Sequence, residues 1–254
     1  MFRVVIPARY ASVRLPGKAL RLIAGKPMVQ WVYERASAAG ASEVLIATDD
    51  ARIETAAGAF GAPAVMTAAH HASGTDRIAE IARSRGWLAE EIVVNLQGDE
   101  PLMPAALIGQ VAAVLGSDAA ADMATLAAPI GSVAELLDAN VVKVVVDARG
   151  HALYFSRAPI PWNRAAAGAD LMSQTDAGGA QRHVGIYAYR VASLLRLASL
   201  APSELETREK LEQLRALENG FAIRVAVACE SPGPDVNTPQ DLERVAEQIA
   251  VRTR

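Results

Sequence analysis

Short apolar runs alternate with amphipathic stretches along much of the 254-residue chain. The runs have the length of buried strands, and the stretches between them carry apolar residues at helical spacing. The predicted strands are residues 4–6, 43–47, 64–66, 92–95, 123–127, 141–146, 152–155, 185–189 and 223–228. The predicted helices are residues 28–39, 52–60, 76–85, 104–115, 191–197, 203–218 and 239–250. This alternation predicts an α/β fold with a mostly parallel, mixed central sheet and helices on both faces.

The region at about 143–190 departs from this alternation. Two predicted strands flank residues 147–150, whose sequence Asp-Ala-Arg-Gly favours a hairpin turn. Pro159 and Pro161 then interrupt regular structure, and an Ala- and Gly-rich stretch predicts a flexible loop near 164–180. We therefore predict one domain over residues 1–254 with an inserted β-rich segment at about 143–190.

Composition narrows the class of protein. Hydrophobic residues make up 52% of the chain and charged residues 21%, as in a globular protein. The formal net charge of −3 argues against general nucleic-acid binding. Cys229 is the only cysteine, which excludes an internal disulfide and a zinc site built on several thiolates. No signal peptide or membrane span is visible, so we expect a cytoplasmic protein without membrane insertion.

Three cations follow the first predicted strand within ten residues. Arg9, Arg14 and Lys18 lie in a segment that Pro16 and Gly17 keep out of regular structure. We call residues 9–18 the cation loop. Ligands of open α/β sheets bind at the carboxyl ends of strands, and this loop suits a polyphosphate. A solvated basic surface loop remains the alternative from spacing alone.

An acidic motif follows another predicted strand. In Asn95-Leu-Gln-Gly-Asp-Glu-Pro101, Asp99 should lie at the same edge as the cation loop, and Gly98 permits a close backbone approach. A carboxylate facing a polyphosphate needs a bridging cation, for which Mg²⁺ is suited. The alternative is an ordinary acidic turn before proline. The dinucleotide fingerprint and the usual P-loop are both missing, which disfavours a nicotinamide-dependent reductase and an ATPase.

The segment Ser73-Gly-Thr-Asp-Arg77 precedes an amphipathic helix. Ser73 or Thr75 is a plausible helix cap, and a plain helix start is the simplest interpretation of these residues. The neighbouring pair His70-His71 lies in a polar stretch, where adjacent side chains rarely converge on a metal, so we expect it at the surface.

Several longer motifs together resemble one family. In chain order they are IPARYASVRLPGK, GKPMV, ATDD, HHASGTDRIAE, VVNLQGDEP, VVKVVVDARGHALYFSRAPIPW, RHVGIYAYR, LEQLRAL and NTPQDLERV. The set, especially ALYFSRAPIPW with RHVGIYAYR, resembles the 3-deoxy-manno-octulosonate (Kdo) cytidylyltransferases, also called CMP-Kdo synthetases.

The resemblance implies a fold, a reaction and an assembly. The fold would be nucleotide-diphospho-sugar transferase-like. The enzyme would transfer CMP from CTP to the anomeric hydroxyl of Kdo, with Mg²⁺, giving pyrophosphate and the CMP-Kdo used in lipopolysaccharide synthesis. A homodimer is implied, with the insertion contributing to the sugar site and the dimer contact.

The resemblance also assigns residues. The catalytic set is Arg9, Lys18 and Asp99. The nucleotide-binding set is Ala8, Arg9, Arg14, Lys18, Ser73, Gly74, Arg77 and Gln97. The sugar-binding set is Gln97, Arg157, His183, Tyr187, Glu209 and Gln213. A guanidinium suits the sugar carboxylate. Glu209 and Gln213, four apart on one predicted helix, are equally typical of a solvated pair, and His183 of a structural histidine.

The implied metal ligands are Asp99 and residue 237, where this chain departs from the family pattern. The family has aspartate where this chain has Asn237, which offers a carbonyl oxygen but no charge. Asp235 is a possible substitute ligand. The departure leaves a non-catalytic nucleotide-binding protein as an alternative. Another is CMP transfer to a different acidic sugar, such as an 8-amino Kdo analogue or a sialic-acid-like nonulosonate.

Overall fold

The computed structural model describes residues 1–12, 15–166 and 174–252. Its strands are β1 (Phe2–Ala8), β2 (Leu22–Ile23), β3 (Lys26–Pro27), β4 (Glu43–Thr48), β5 (Ala64–Met66), β6 (Ile92–Asn95), β7 (Met123–Pro129), β8 (Lys143–Val146), β9 (Ala152–Ser156), β10 (Gln181–Arg190) and β11 (Ile223–Val227). Its α-helices are α1 (Met28–Ser37), α2 (Ala51–Ala59), α3 (Gly74–Ser84), α4 (Ala105–Gly116), α5 (Val133–Leu137), α6 (Val191–Ala198), α7 (Glu204–Glu209), α8 (Gln213–Glu218) and α9 (Pro239–Arg252).

A mixed sheet organises the described residues. Its main path runs β11-β7-β10-β6-β1-β4-β5, and the β8–β9 hairpin joins through β10. The neighbours β6, β1, β4 and β5 are parallel, whereas β10 runs antiparallel to β6 and β7. Strands β1, β4 and β6 therefore end at one edge of the sheet, which we call the carboxyl edge.

Helices cover both faces of this sheet. Val4 and Ile6 of β1 pack with α1, α2 and α4 on one face, because alternate strand residues point to opposite sides. Val5 packs with α3, α6 and α8 on the other. Helix α9 packs against Leu15 and Leu102 in a smaller apolar cluster. Leu15 belongs to the cation loop and directly follows the undescribed residues 13–14. The predicted fold class, a mixed sheet with helices on both faces, is confirmed.

The predicted single helix over residues 203–218 is wrong. The chain forms α7 and α8, separated at Lys210, whose φ of 55° lies in the left-handed region. Glu209 and Gln213 therefore lie on different helices and do not share a helix face. The break lets the Glu209 carboxylate bind Ser156 and the main chain of Arg157, tertiary contacts that outweigh local helix propensity.

Smaller differences concern the ends of elements and short elements. Strand β8 begins at Lys143 rather than at residue 141, and β10 begins at Gln181 rather than at residue 185. The β2–β3 hairpin and α5 were not predicted, because two- to five-residue elements carry little periodicity. The predicted hairpin turn at residues 147–150 is confirmed, with Gly150 at φ 81°.

Part of the expected loop near 164–180 lies outside the described residues, namely 167–173. Within the described part, the buried Gln174 exchanges hydrogen bonds with the main chain of Asn163. Among the described helices, none combines the length and apolar character that a bilayer crossing needs.

Lys210→Gly should raise the free energy of unfolding by about 0.5–1 kcal/mol, because glycine adopts a left-handed conformation without a Cβ clash. Urea denaturation measures the change. Lys210→Ala is the matched control, since it removes the side chain but keeps the Cβ. Equal stabilities of the two variants would show that backbone strain at Lys210 is negligible.

Candidate active site

A cleft of about 430 Å³ opens at the carboxyl edge of the sheet. It lies where the cation loop, the segment after β6 and the start of α3 meet. The sequence-predicted residues that line it are Ala8, Arg9, Lys18, Gly74, Arg77, Gln97, Asp99 and Asn237. Arg9 is exposed, and Arg14 lies outside the described residues. The structure therefore brings these eight residues to one place, whereas Ser73 is not among the lining residues.

Two glycines allow the three segments to approach closely. A Cβ added to Gly98 would lie 2.8 Å from the carbonyl oxygen of Pro7, and one added to Gly74 would lie 3.0 Å from the Pro7 ring. Real Cβ atoms essentially never approach backbone so closely, so any larger residue at 98 would push the Asp99 segment away from β1. The glycine at this position keeps Asp99 beside the cation loop.

Lys18 is the polar centre of the cleft. Its Nζ donates to Asp99 Oδ2 at 2.5 Å and to Asn237 Oδ1 at 3.2 Å. The side-chain amide of Asn237 in turn donates to the Asp235 carboxylate. Lys18 therefore joins the segment after β6 to the segment before α9. Through Asn237, the Asp235 carboxylate belongs to the same hydrogen-bonded cluster.

Main-chain and capping bonds hold residues 235–237 in place. The N–H of Val236 donates to the Asp99 carbonyl at 2.9 Å, and the N–H of Asn237 donates to the Asp241 carboxylate at 3.1 Å. Asp241 also exchanges hydrogen bonds with Thr238, which forms a capping box at the start of α9. The position of Asn237 is thus set by the start of α9.

The carboxylates near Lys18 disfavour one another's charge. Burial, together with Asp99 and Asp241, raises the pKa of Asp235 above its usual value. Burial, together with Asp99 and Asp235, raises the pKa of Glu100 to about 8. A cluster of this kind is stabilised by an added cation.

The side-chain oxygens of Asp99, Asp235 and Asn237 are of the kind that bind Mg²⁺. Asp99 and Asp235 supply carboxylates, and Asn237 supplies an amide oxygen that already converges with Asp99 on one ammonium. In the part of the chain that the structure describes, no group of three or more His, Cys, Asp or Glu side chains could hold a metal ion. Mg²⁺ usually takes only one or two protein carboxylates and completes its shell with phosphate oxygens and water.

The start of α3 is held by caps and by a buried ion pair. Ser73 caps the helix and forms a capping box with Asp76, as expected of this segment. Arg77 has no exposed surface; its Nη2 donates to Asp49 at 2.9 Å and its Nη1 donates to Thr67. The guanidinium therefore lies in the wall of the cleft and does not project into solvent.

Arg157 and Glu209, two predicted sugar-binding residues, bind each other. The N–H of Arg157 donates to Glu209 Oε2 at 2.9 Å, and Ser156 donates to Glu209 Oε1 at 2.6 Å. The Arg157 side chain donates from Nε to the Glu209 carbonyl and from Nη1 to the Ala139 carbonyl. Among the described residues, Nη2 alone of this guanidinium has no partner and remains available to an anion.

Lys143 holds the main chain around Arg157 in place. Its side chain is fully buried, and Nζ donates to the carbonyls of Asp138 at 2.9 Å, Val141 at 2.6 Å and Arg157 at 2.6 Å. Burial lowers its pKa. Sequence reasoning missed Lys143, because the three carbonyls come together only in the tertiary structure.

His183 is held as a neutral imidazole. Its Nε2 lies 2.9 Å from the Thr125 hydroxyl, whose single proton serves a carbonyl of Val184 or Ile186. The hydroxyl oxygen therefore accepts from Nε2–H, which leaves Nδ1 as an acceptor. Burial lowers the pKa of His183 to about 3, consistent with a neutral ring.

Three buried polar atoms lack a partner in the described part of the chain. They are Arg77 Nε, Tyr187 OH and Gln213 Nε2. Buried polar groups are nearly always hydrogen-bonded, so each exception needs an explanation. All three belong to residues that the sequence predicted to contact a ligand, and a bound ligand would supply the missing acceptors.

Sequence reasoning missed other residues near the cleft. Asn95 accepts from Gln97 Nε2 at 3.2 Å, and Glu212 lies 3.5 Å from the Ser73 hydroxyl. Burial raises the pKa of Glu212. Glu212 lies inside the LEQLRAL motif and Asn95 starts the Asp99 motif, so their positions in these motifs were the available signals. Asp49, in the ATDD segment, had the same kind of signal.

Comparison with known proteins agrees with this architecture. A family model described as cytidylyltransferase matches residues 3–225. A 3-deoxy-manno-octulosonate cytidylyltransferase of Thioalkalivibrio sulfidiphilus is 56% identical over 248 residues, covering 98% of each chain. The enzyme of that name from Cellvibrio japonicus is 55% identical over 251 residues, again covering 98% of each chain.

Two solved structures are similar to this chain. A CMP:2-keto-3-deoxy-manno-octonic acid synthetase complexed with CTP has a TM-score of 0.88 and 44% identity, covering 99% of this chain and 100% of its own. A cytidylyltransferase from Leptospira borgpetersenii has a TM-score of 0.62 and 16% identity, covering 98% of this chain and 86% of its own. The second match supports the fold alone.

His183→Gln should change how stability depends on pH. The pKa of His183 falls from 6.5 to about 3 on folding, so the unfolded chain binds the proton first. The native protein therefore loses stability as pH falls below 6.5, by roughly 1–2 kcal/mol at about pH 5, and the glutamine variant lacks this loss. Urea denaturation at about pH 7.5 and about pH 5 compares them. Parallel losses in both proteins would mean that His183 protonates freely in the folded state.

Proposed function

The chain belongs to the 3-deoxy-manno-octulosonate cytidylyltransferase family, and we propose that it transfers CMP from CTP to the anomeric hydroxyl of Kdo. The observation that carries this is one cleft in which the cation loop, Asp99 and the start of α3 meet. The product CMP-Kdo would serve lipopolysaccharide synthesis. Because CTP is a cytoplasmic metabolite, we place the enzyme in the cytoplasm.

The reaction exchanges one phosphorus–oxygen bond for another. The anomeric oxygen forms a bond to the α-phosphorus of CTP and loses its proton to solvent, while the bond from that phosphorus to the β-phosphate bridging oxygen breaks. The electron pair leaves with pyrophosphate. Charge stabilisation and positioning supply most of the rate enhancement in such transfers.

The cation loop provides charge for the departing pyrophosphate. Arg9 lies exposed at the cleft, and Lys18 is held at its centre by Asp99 and Asn237. In our proposal the Lys18 ammonium exchanges these oxygens for phosphate oxygens when CTP binds. Fixed cations of this kind stabilise the charge that develops as the bond breaks.

Asp99 and Asp235, with the amide oxygen of Asn237, would hold Mg²⁺, which supplies charge neutralisation on the phosphate oxygens. The support for this assignment is the raised pKa of Asp235 and the convergence of Asp99 and Asn237 on Lys18. The amide at position 237 lowers the negative charge of the site by one relative to a carboxylate.

The sugar would bind on the side of β10 and α8. Arg157 Nη2 suits the sugar carboxylate. His183 Nδ1 can accept from a sugar hydroxyl, and the orphaned Tyr187 OH and Gln213 Nε2 can donate to others. Neutral His183 fits this task, since a hydroxyl needs an acceptor and the imidazolium has none.

We also propose a homodimer through the 143–190 insertion. Strand β9 is an edge strand that pairs only with β8 among the described strands, and Leu153 on it is 62% exposed. Trp162, in the same insertion, is 41% exposed. Large exposed apolar side chains beside an edge strand are typical of an interface.

Sedimentation equilibrium tests the dimer, and Leu153→Glu should shift the monomer–dimer equilibrium towards monomer.

Pyrophosphate release tests the reaction directly. It is measured with each of the four ribonucleoside triphosphates, with and without Kdo, across a Mg²⁺ titration. Release should require CTP, Kdo and metal together. CTP binding without release would point to a non-catalytic protein, and release only with an 8-amino analogue or a nonulosonate would replace Kdo as the acceptor.

Lys18→Met should lower kcat by about 10²–10³-fold, because it removes a cation aimed at developing charge. Lys26→Met is the matched control, since Lys26 binds Glu34 at the surface outside the cleft. A Lys18 variant with native kcat would remove this residue from the mechanism.

Asn237→Asp should tighten Mg²⁺ binding and Asp235→Asn should weaken it, because each changes the charge of the donor set by one. Calorimetric titration of Mg²⁺ in the presence of CTP measures both, independently of turnover. If Asn237→Asp has no effect while Asp235→Asn abolishes binding, residue 237 is not a ligand and Asp235 acts with Asp99 alone.

A further inference from the structure

Asp49 lies directly after β4, at the same carboxyl edge that carries the cation loop and Asp99. Its carboxylate accepts from Arg77 Nη2 at 2.9 Å, and its side chain is 17% exposed. No role in the reaction follows from its sequence alone, since an acidic pair before a helix is an ordinary N-cap signal. Asp50 serves that purpose, because its side chain caps α2.

The Arg77 guanidinium depends on Asp49 for charge compensation. Arg77 has no exposed surface, and Asp49 is the one carboxylate within ion-pair distance of it among the described residues. Thr67 is a neutral second partner, tied in turn to the Thr48 carbonyl at 3.0 Å. A buried cation without a counter-charge is strongly unfavourable, so Asp49 determines where this guanidinium rests.

Arg77 also has an unused donor at the cleft. Its side chain lines the cleft together with Gly74 and Gln97, and its Nε finds no partner among the described residues. Asp49 and Thr67 occupy the two terminal nitrogens, which fixes the plane of the guanidinium and hence the direction of the Nε–H bond. A donor fixed in this way awaits an acceptor from a ligand.

We propose that Asp49 is a positioning residue for nucleotide binding, which holds Arg77 so that its Nε–H donates to an acceptor atom of the bound nucleoside triphosphate. This inference rests on the proposed function of the cleft. It adds a third strand end to the site: β1 leads to Lys18, β6 leads to Asp99, and β4 leads to Asp49. Asp49 acts only through Arg77 and does not contact the reacting atoms.

The test compares Asp49→Asn with Asp118→Asn. Asp118 is a matched control, because it is also a partly buried aspartate, bound to the His151 ring and close to the Arg224 guanidinium, and it does not line the cleft. Calorimetry with CTP and Mg²⁺ gives Kd, and steady-state kinetics at saturating CTP gives KM for Kdo. Asp49→Asn should raise the Kd for CTP about tenfold, while Asp118→Asn stays within about twofold.

A purely structural role would give a different result. Asp49→Asn would then lower the midpoint of thermal unfolding but leave the Kd for CTP unchanged, and this outcome would overturn the proposal. The positioning role further predicts that the KM for Kdo stays within about twofold of the native value, and that Asp49→Glu recovers part of the CTP affinity.

Thr67→Val covers the case in which Asp49→Asn does not fold. It removes the neutral partner of Arg77 and keeps the ion pair. We expect about a threefold rise in the Kd for CTP, and an unchanged Kd would contradict the proposal.

The native protein, measured alongside, separates this inference from the proposed function. If it binds CTP but releases no pyrophosphate with Kdo, the proposed reaction fails, and the variants still decide the role of Asp49. If it does not bind CTP, both fail.

Discussion

The contact between Lys18 and Asp99 joins segments 81 residues apart, and the rest of the cleft is arranged around it. It exists because β1 and β6 are neighbouring parallel strands, so that the loops after them leave the same edge of the sheet. Gly98 lets the second loop pass close to Pro7, and the start of α9 brings Asn237 to the same ammonium. A shift of any of these segments would separate the cationic and acidic halves of the site.

Buried cations recur as organising elements, and each has its own oxygen partners. Arg77 binds Asp49 and Thr67 on the proposed nucleotide side, whereas Lys143 binds three main-chain carbonyls on the proposed sugar side. Burying such groups is costly unless every donor is satisfied. A buried hydrogen-bond donor without a partner among the described residues, such as Arg77 Nε, therefore indicates a ligand-binding position. Arg77 and Lys143 are thus held in place without a ligand, which reduces the ordering cost of binding.

Sequence patterns predicted the sheet, the helices on both faces and the position of Asp99 at the same sheet edge as the cation loop, because these follow from the alternation of elements and from loops at strand ends. They did not predict the break at Lys210, since contacts of Glu209 with β9 override local helix propensity. Nor did they predict that Arg77 is buried, because the partner that stabilises it comes from a different strand end. Motif resemblance located these residues, but their partners are properties of the tertiary structure.

The central claim is that the Lys18 and Asp99 cluster opens to receive a metal-bound triphosphate. A crystal structure with CTP and Mg²⁺ tests it most directly. The account predicts that Lys18 Nζ contacts phosphate oxygens in place of Asp99, that Asp99 and Asp235 face the metal, and that Arg77 Nε has a nucleotide acceptor. A triphosphate bound elsewhere, with the 2.5 Å contact between Lys18 and Asp99 intact, would contradict it.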